Sequence, residues 1–175
     1  MSGDGFGHEK PHEGITNDWI TPEKLVRIFG QFDLDPCESD SQPWPCGIRG
    51  YRLARGENGL LLPWAGRVYC NPPYGPHVGS WVERMAAHRN GILLIFNRSE
   101  TAAWKRVWET GDGFLFPEGR TCFYLPDGTR AKSGTAPSAL VAYGEANADA
   151  LANAGLAGAF FRRAQICKGI KISTL

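Results

Sequence analysis

Apolar and polar positions alternate along this chain in two rhythms. Residues 91–96, Gly-Ile-Leu-Leu-Ile-Phe, form an unbroken apolar run, the pattern of a central strand covered on both faces. Residues 66–70 read as a shorter strand, and residues 32–36 as another, in which Asp33 and Asp35 alternate with apolar neighbours and a proline turn ends the run. Residues 113–116, 120–125 and 138–143 predict three more, the first two separated by the turn Pro117-Glu118-Gly119. Helical spacing marks residues 78–89 and 101–110, where Trp104, Val107 and Trp108 face a core. Thr21-Pro22-Glu23 predicts a helix start with Thr21 as cap and Pro22 in the first turn, leading into Leu25, Val26, Ile28 and Phe29 and stopping at Gly30. The alanine-rich residues 146–161 predict a last helix.

Strands alternating with helices make this an α/β protein. Its 175 residues suit one compact domain, predicted over 15–175 behind a glycine-rich, flexible tail at 1–14. Between Asp35 and Asn71 the chain is too short for full strand–helix units, so the sheet elements there are expected to be reduced. Residues 37–64 are correspondingly irregular, rich in Pro, Gly, Ser and Arg.

Composition narrows the function classes. Hydrophobic residues at 42% and charged ones at 21% describe an ordinary soluble globule; no run approaches a membrane span, and the first residues are too polar for a signal peptide. The expected location is the cytoplasm, which the odd set of five cysteines at 37, 46, 70, 122 and 167, with no Cys-x-x-Cys pair, also suits. Zinc is not expected, and neither is an obligate protein partner. His8-Glu9-Lys10-Pro11-His12 matches a zinc-protease pattern only in letters, because Pro11 among glycines opposes the helix that the pattern needs. Net charge is only +1, so any nucleic-acid footprint must be local. Arg49, Arg52, Arg55, Arg67, Arg98, Lys105 and Arg106 are close in sequence to the motif described next.

That motif is Asn71-Pro72-Pro73-Tyr74. A planar amino group has its lone pair delocalised into a π-system and attacks poorly unless its nitrogen is drawn toward tetrahedral geometry. Two acceptors aimed at its N–H bonds do this: the Asn71 side-chain oxygen, and the Pro72 carbonyl held extended by Pro73. Tyr74 supplies a ring for a flat group to stack on, worth roughly 1–3 kcal/mol per base. A strand running into this turn and a helix leaving it set the motif at the carboxyl edge of a sheet. Asp35, ending the earlier strand before a turn, occupies a usual place for a polar cofactor. There is no Walker A loop or Gly-x-Gly-x-x-Gly sequence.

The order of these pieces resembles a known family. Asp18-Trp19-Ile20-Thr21-Pro22, Phe32-Asp33-Leu34-Asp35-Pro36-Cys37, Asn58-Gly59-Leu60 with Trp64, Asn71-Pro72-Pro73-Tyr74-Gly75, a Thr-x-x-Trp turn at Thr101 and Gly119-Arg120-Thr121-Cys122-Phe123 together resemble the phage-type Dam family of DNA N6-adenine methyltransferases, over residues 16–143. The resemblance implies a Rossmann-like methyltransferase fold with a central mixed sheet flanked by helices. It implies S-adenosylmethionine as donor, adenine in DNA as acceptor and the cytoplasm of a bacterial host as the setting. Residue by residue, it implies that Asn71, Pro72, Pro73 and Tyr74 are catalytic, that Thr21 and Pro22 lie against the methionine end of the donor, that Asp35 and Pro36 form the turn beside it, and that Asn58 approaches the donor adenine. Two departures stand out: Asn58 occupies a position where related enzymes often have aspartate, and no glycine-rich continuation follows Cys37. Glu38 and Asp40 are the candidates for the ribose hydroxyls. The competing readings are another amino acceptor (cytosine N4, an RNA base or a protein glutamine) and a catalytically idle DNA-binding relative.

Overall fold

The computed structural model describes residues 19–125, 127–131 and 136–163. The tail at 1–14, Asp18 and Cys167 fall outside them.

Seven strands form one mixed sheet: β1 (Leu34–Asp35), β2 (Arg49–Gly50), β3 (Val68–Cys70), β4 (Gly91–Phe96), β5 (Gly113–Pro117), β6 (Ser138–Tyr143) and β7 (Gly158–Arg162). Their spatial order is β2-β1-β3-β4-β6-β5-β7. The four strands from β2 to β4 run parallel, whereas β6 is antiparallel to both β4 and β5, and β7 is antiparallel to β5. Among the described residues four α-helices accompany them: α1 (Glu23–Arg27), α2 (Val78–His88), α3 (Ala102–Thr110) and α4 (Glu145–Ala152). This is an α/β architecture compatible with a Rossmann-like fold.

Period-two alternation divides the sheet between two cores. Val68, Cys70, Leu93, Ile95, Val141 and Tyr143 point to the face covered by Trp81, Val82 and Met85 of α2 and by Trp104 and Val107 of α3. Tyr69, Ile92, Leu94, Leu140 and Ala142 point to the other, where Val26 and Phe29 of the α1 segment and Ala148 and Leu151 of α4 meet them. Both faces of β4 and β6 are therefore dry, which accounts for their continuous apolar sequence. Among the described residues, no helix is long and apolar enough to cross a membrane.

Chain order reverses at β1. From β1 the chain passes to β2 on one side, then back to β3 on the other, so the β1/β3 boundary is the topological switch point at which open α/β sheets leave a crevice beyond their carboxyl ends. The shortened elements expected before Asn71 are present: β2 has two residues, and only a 3-10 turn (Leu53–Arg55) interrupts the path to β3.

Three expectations need correction. The helix over 146–161 stops at Ala152; after Gly155, at φ +67°, the chain returns as β7, and a side chain on Gly158 would meet the Phe116 carbonyl oxygen at 2.3 Å. Edge pairing of Phe160 and Phe161 against β5 thus overrides the helical bias of the alanines. Residues 120–125 form no ladder, only single bridges from Tyr124 to Ile20 and Arg130. Thr21 does not cap α1, because its hydroxyl accepts a hydrogen bond from Tyr69 at 3.0 Å.

Gly91 opens β4 at φ +156°, and a Cβ there would lie 2.1 Å from the Val68 carbonyl oxygen. Gly91→Ala is expected to destabilise the protein by about 1–3 kcal/mol or more, measured as a lowered midpoint in urea denaturation.

Candidate functional site

The switch point gathers two turns. Beyond β1, the Asp35 carboxylate accepts the Cys37 backbone N–H at 3.1 Å, folding Pro36 and Cys37 back across the end of the strand. Beyond β3, Asn71 to Tyr74 form a rigid corner before α2. The Asn71 amide is oriented at both ends: its nitrogen donates to the Trp19 carbonyl, and its oxygen accepts from the Tyr74 hydroxyl at 3.0 Å. A carbonyl oxygen has two lone pairs, so the Asn71 oxygen keeps one acceptor site. Among the described residues the Pro72 carbonyl accepts no hydrogen bond. Burial holds the Tyr74 phenol well above its ordinary pKa, so it remains a donor.

Cavities lie on either side of this corner. The first, about 350 Å³, is bordered by Pro36, Cys37, Asn58, Gly59, Tyr51 and Pro73, with Glu38, Asp40 and Glu57 supplying carboxylates. Such a volume lies within the range of small-molecule sites. Its far wall is tightly built. A Cβ on Gly59 would fall 1.8 Å from the Pro36 carbonyl oxygen, so only glycine lets the 57–60 loop close on the β1 turn. Trp64 donates to the Gly59 carbonyl at 2.8 Å and stacks near Trp81, which fixes that loop from behind. Asn58 is turned locally: its side-chain oxygen accepts the Leu60 N–H at 3.0 Å. Glu38 is ion-paired to Arg52 at 2.5 Å, and Asp40 accepts the Ala54 N–H at 3.1 Å, so both tie the β2 loop down over the cavity.

The second cavity, about 680 Å³, is bordered by Trp19, Tyr74, Phe96, Arg98 and Trp104. Here the structure supplies a residue that sequence reasoning passed over. Phe96 ends β4 and stacks flat on Tyr74, with ring centroids 3.5 Å apart and planes 5° from parallel. Its signal was faint: it is the one residue of the apolar run that is not fully buried, at the carboxyl end of a central strand.

The candidate residues are therefore only partly assembled. Pro36, Asn58 and Pro73 border the first cavity and Tyr74 the second, whereas Asp35, Asn71 and Pro72 line neither. Thr21 and Pro22 border neither. Thr21 is buried on the α1 side of the sheet, where its carbonyl accepts from Trp44 at 2.9 Å, and the preceding Trp19 reaches the corner instead. Most of the sequence-adjacent cations are committed elsewhere. Arg67 sits at the amino end of β3, where it donates to the Phe29 and Gln31 carbonyls; Arg49 and Arg52 pair with Glu57 and Glu38, and Arg106 with Glu83 and Glu109. Arg98 remains exposed at the mouth of the second cavity.

The chain matches no family model, no curated protein and no solved structure. The geometry above therefore carries the functional reading.

Asp35 is buried, and desolvation, with Glu38 adding like-charge repulsion, raises its pKa from 3.8 to about 7. A carboxyl whose pKa is higher in the folded state than in the unfolded one stabilises the fold fully below its unfolded pKa, and that contribution is lost as pH rises through the folded value. Stability is thus expected to decline between pH 3.8 and about 7, by at most about 4 kcal/mol at 1.36 kcal/mol per unit. In Asp35→Asn, which keeps an acceptor for the Cys37 N–H, the decline is expected to vanish in urea titrations across that window.

Proposed function

We propose that this chain is a methyltransferase that moves a methyl group from S-adenosylmethionine to the exocyclic N6 of adenine in DNA. The observation that carries the reading is the corner itself: on a proline-stiffened turn at the switch point, with Pro73 on one cavity and Tyr74 on the other, the Asn71 oxygen keeps one lone pair and, among the described residues, the Pro72 carbonyl accepts no hydrogen bond.

The first cavity suits the donor. S-adenosylmethionine is a compact molecule with a sulfonium cation, and Asp40 borders this cavity beside the apolar surfaces of Tyr51 and Trp81, while the neighbouring Glu38 and Glu57 are offset by Arg52 and Arg49. The Asn58 oxygen accepts the Leu60 N–H and keeps one lone pair, so both that oxygen and the amide nitrogen are offered to an adenine ring. The donor supplies an electrophilic methyl group, and the chain's task is positioning. Asp35, with a pKa near neutrality, lies beneath the turn where a cation would favour its ionised form.

The second cavity suits a flat acceptor. Tyr74 and Phe96 are in contact, leaving no gap for a third ring between them, so an incoming base must displace Phe96 from the Tyr74 face. Its amino hydrogens then meet the Asn71 oxygen and the Pro72 carbonyl. Removing the base from a duplex costs a few kcal/mol, which stacking and these two hydrogen bonds offset. Arg98, exposed at the mouth, is the cation that would meet the phosphate backbone.

Asn71→Ala is expected to remain folded by circular dichroism, to bind an unpaired base with near-normal affinity, and to lose roughly 100-fold in turnover, as when a preorganised polar group is removed. Tyr74→Ala is expected to stay folded and to lose affinity for the base as well. Labelled S-adenosylmethionine offered with duplex DNA, single-stranded DNA, RNA or a release factor, followed by nucleoside analysis, tests the reading: N6-methyladenine in DNA supports it. Label appearing only in RNA, protein or N4-methylcytosine, or no uptake of label, overturns it.

A further inference from the structure

Two thiols meet where the two turns converge. Cys37 follows the β1 turn and Cys70 ends β3, and their sulfurs lie 3.7 Å apart although the residues are 33 positions apart in sequence. Cys37 is half-buried and borders the first cavity, whereas Cys70 is completely enclosed. The Cys37 thiol also donates to the Asn71 carbonyl at 3.3 Å, so the same sulfur touches the cavity, its sister thiol and the corner.

We propose that Cys37 and Cys70 are a dithiol modification site, oxidised to a disulfide by small-molecule disulfides that enter through the first cavity, and that the bond locks the corner and weakens occupation of that cavity. The pair stands on geometry alone; its effect on a donor rests on the reading given above.

The chemistry is a two-step exchange. The Cys37 thiolate attacks a disulfide R–S–S–R, forming Cys37–S–S–R and expelling RS⁻. The Cys70 thiolate then attacks the Cys37 sulfur, forming the Cys37–Cys70 bond and expelling a second RS⁻. Two protein thiols lose two electrons, the reagent gains them, and the two protons end on the released thiols. Access sets the order, since a reagent can reach Cys37 but not Cys70. The sulfurs begin in van der Waals contact and must close to about 2.05 Å, for which a side-chain rotation at Cys37, in a turn rather than in a ladder, is available. Burial pushes the Cys37 thiol well above its ordinary pKa, which slows the first step at neutral pH and makes it accelerate in alkali. Once the bond forms, the Asn71 carbonyl loses its thiol donor and the Cys37 sulfur is drawn from the cavity wall toward β3.

The experiment treats the folded full-length chain with oxidised glutathione, quenches with acid, alkylates the free thiols and maps peptides by mass. The expected product is a Cys37–Cys70 cross-link, faster at higher pH and reversed by dithiothreitol, while Cys70→Ser stops at a glutathione adduct on Cys37 and Cys37→Ser takes up nothing at Cys70. A stable glutathione adduct in the unsubstituted protein, an unreactive Cys37, or a cross-link to Cys46, Cys122 or Cys167 overturns the proposal. The oxidised form is expected to bind S-adenosylhomocysteine at least about 5-fold more weakly, the equivalent of one hydrogen bond, with affinity restored by reductant. Equal affinity of the two forms overturns the lock. If neither form binds that ligand the donor reading fails, while the cross-link still stands or falls on the peptide map.

Discussion

One parallel pairing, Leu34 of β1 against Val68 of β3, governs the geometry of this protein's carboxyl edge. It is short, and it is held from the opposite end. The Arg67 N–H donates to the Asp33 carboxylate at 2.6 Å, and the Arg67 guanidinium lies over the Phe32 ring, caps the end of α1 through the Phe29 carbonyl and reaches Asn147 of α4 at 2.6 Å. A single residue thus joins the starts of two strands through its backbone and two helices through its side chain, on the edge where no cavity is needed. Charge-assisted bonds of this kind fix register with little tolerance, and the register decides that the turn after Asp35 and the corner after Cys70 emerge side by side.

With the turns so placed, hydrogen bonding does the rest. The Asp35 carboxyl, Asn71 amide and Tyr74 hydroxyl each satisfy a local partner first and present only what is left over. Polar groups that are fully engaged keep their geometry, and those with spare capacity on a stiff frame are preorganised for a ligand. The chain combines both states within a few residues, which is why the corner is a stronger pointer to function than any single side chain in it.

Much of this architecture was legible in the sequence because its signals are local. The apolar run at 91–96 needs burial on both faces, the prolines at 72 and 73 admit few conformations, and the chain between Asp35 and Asn71 is too short for complete strand–helix units. What escaped depended on distant partners. Thr21 looked like a helix cap until Tyr69, far along the chain, claimed its hydroxyl. The alanines after 146 looked helical until β5 offered an edge to Phe160 and Phe161. Phe96 looked like core because no local pattern says which ring stands next to Tyr74, and the contact between Cys37 and Cys70 follows only from the strand order. Arg67, grouped by sequence with a possible basic rim, proved to be the staple at the far end of the sheet.

The flat contact of Tyr74 with Phe96 has a selective side under the proposed reading. A slot filled by the chain's own phenyl group hides apolar surface from water, and any visitor competes with that ring rather than with solvent. Discrimination then turns on a difference: an intruder must out-stack a benzene-sized plane before it gains anything. Bicyclic purines clear that threshold more readily than single-ring pyrimidines, so the resting enclosure itself acts as a filter for ring size ahead of any hydrogen bond.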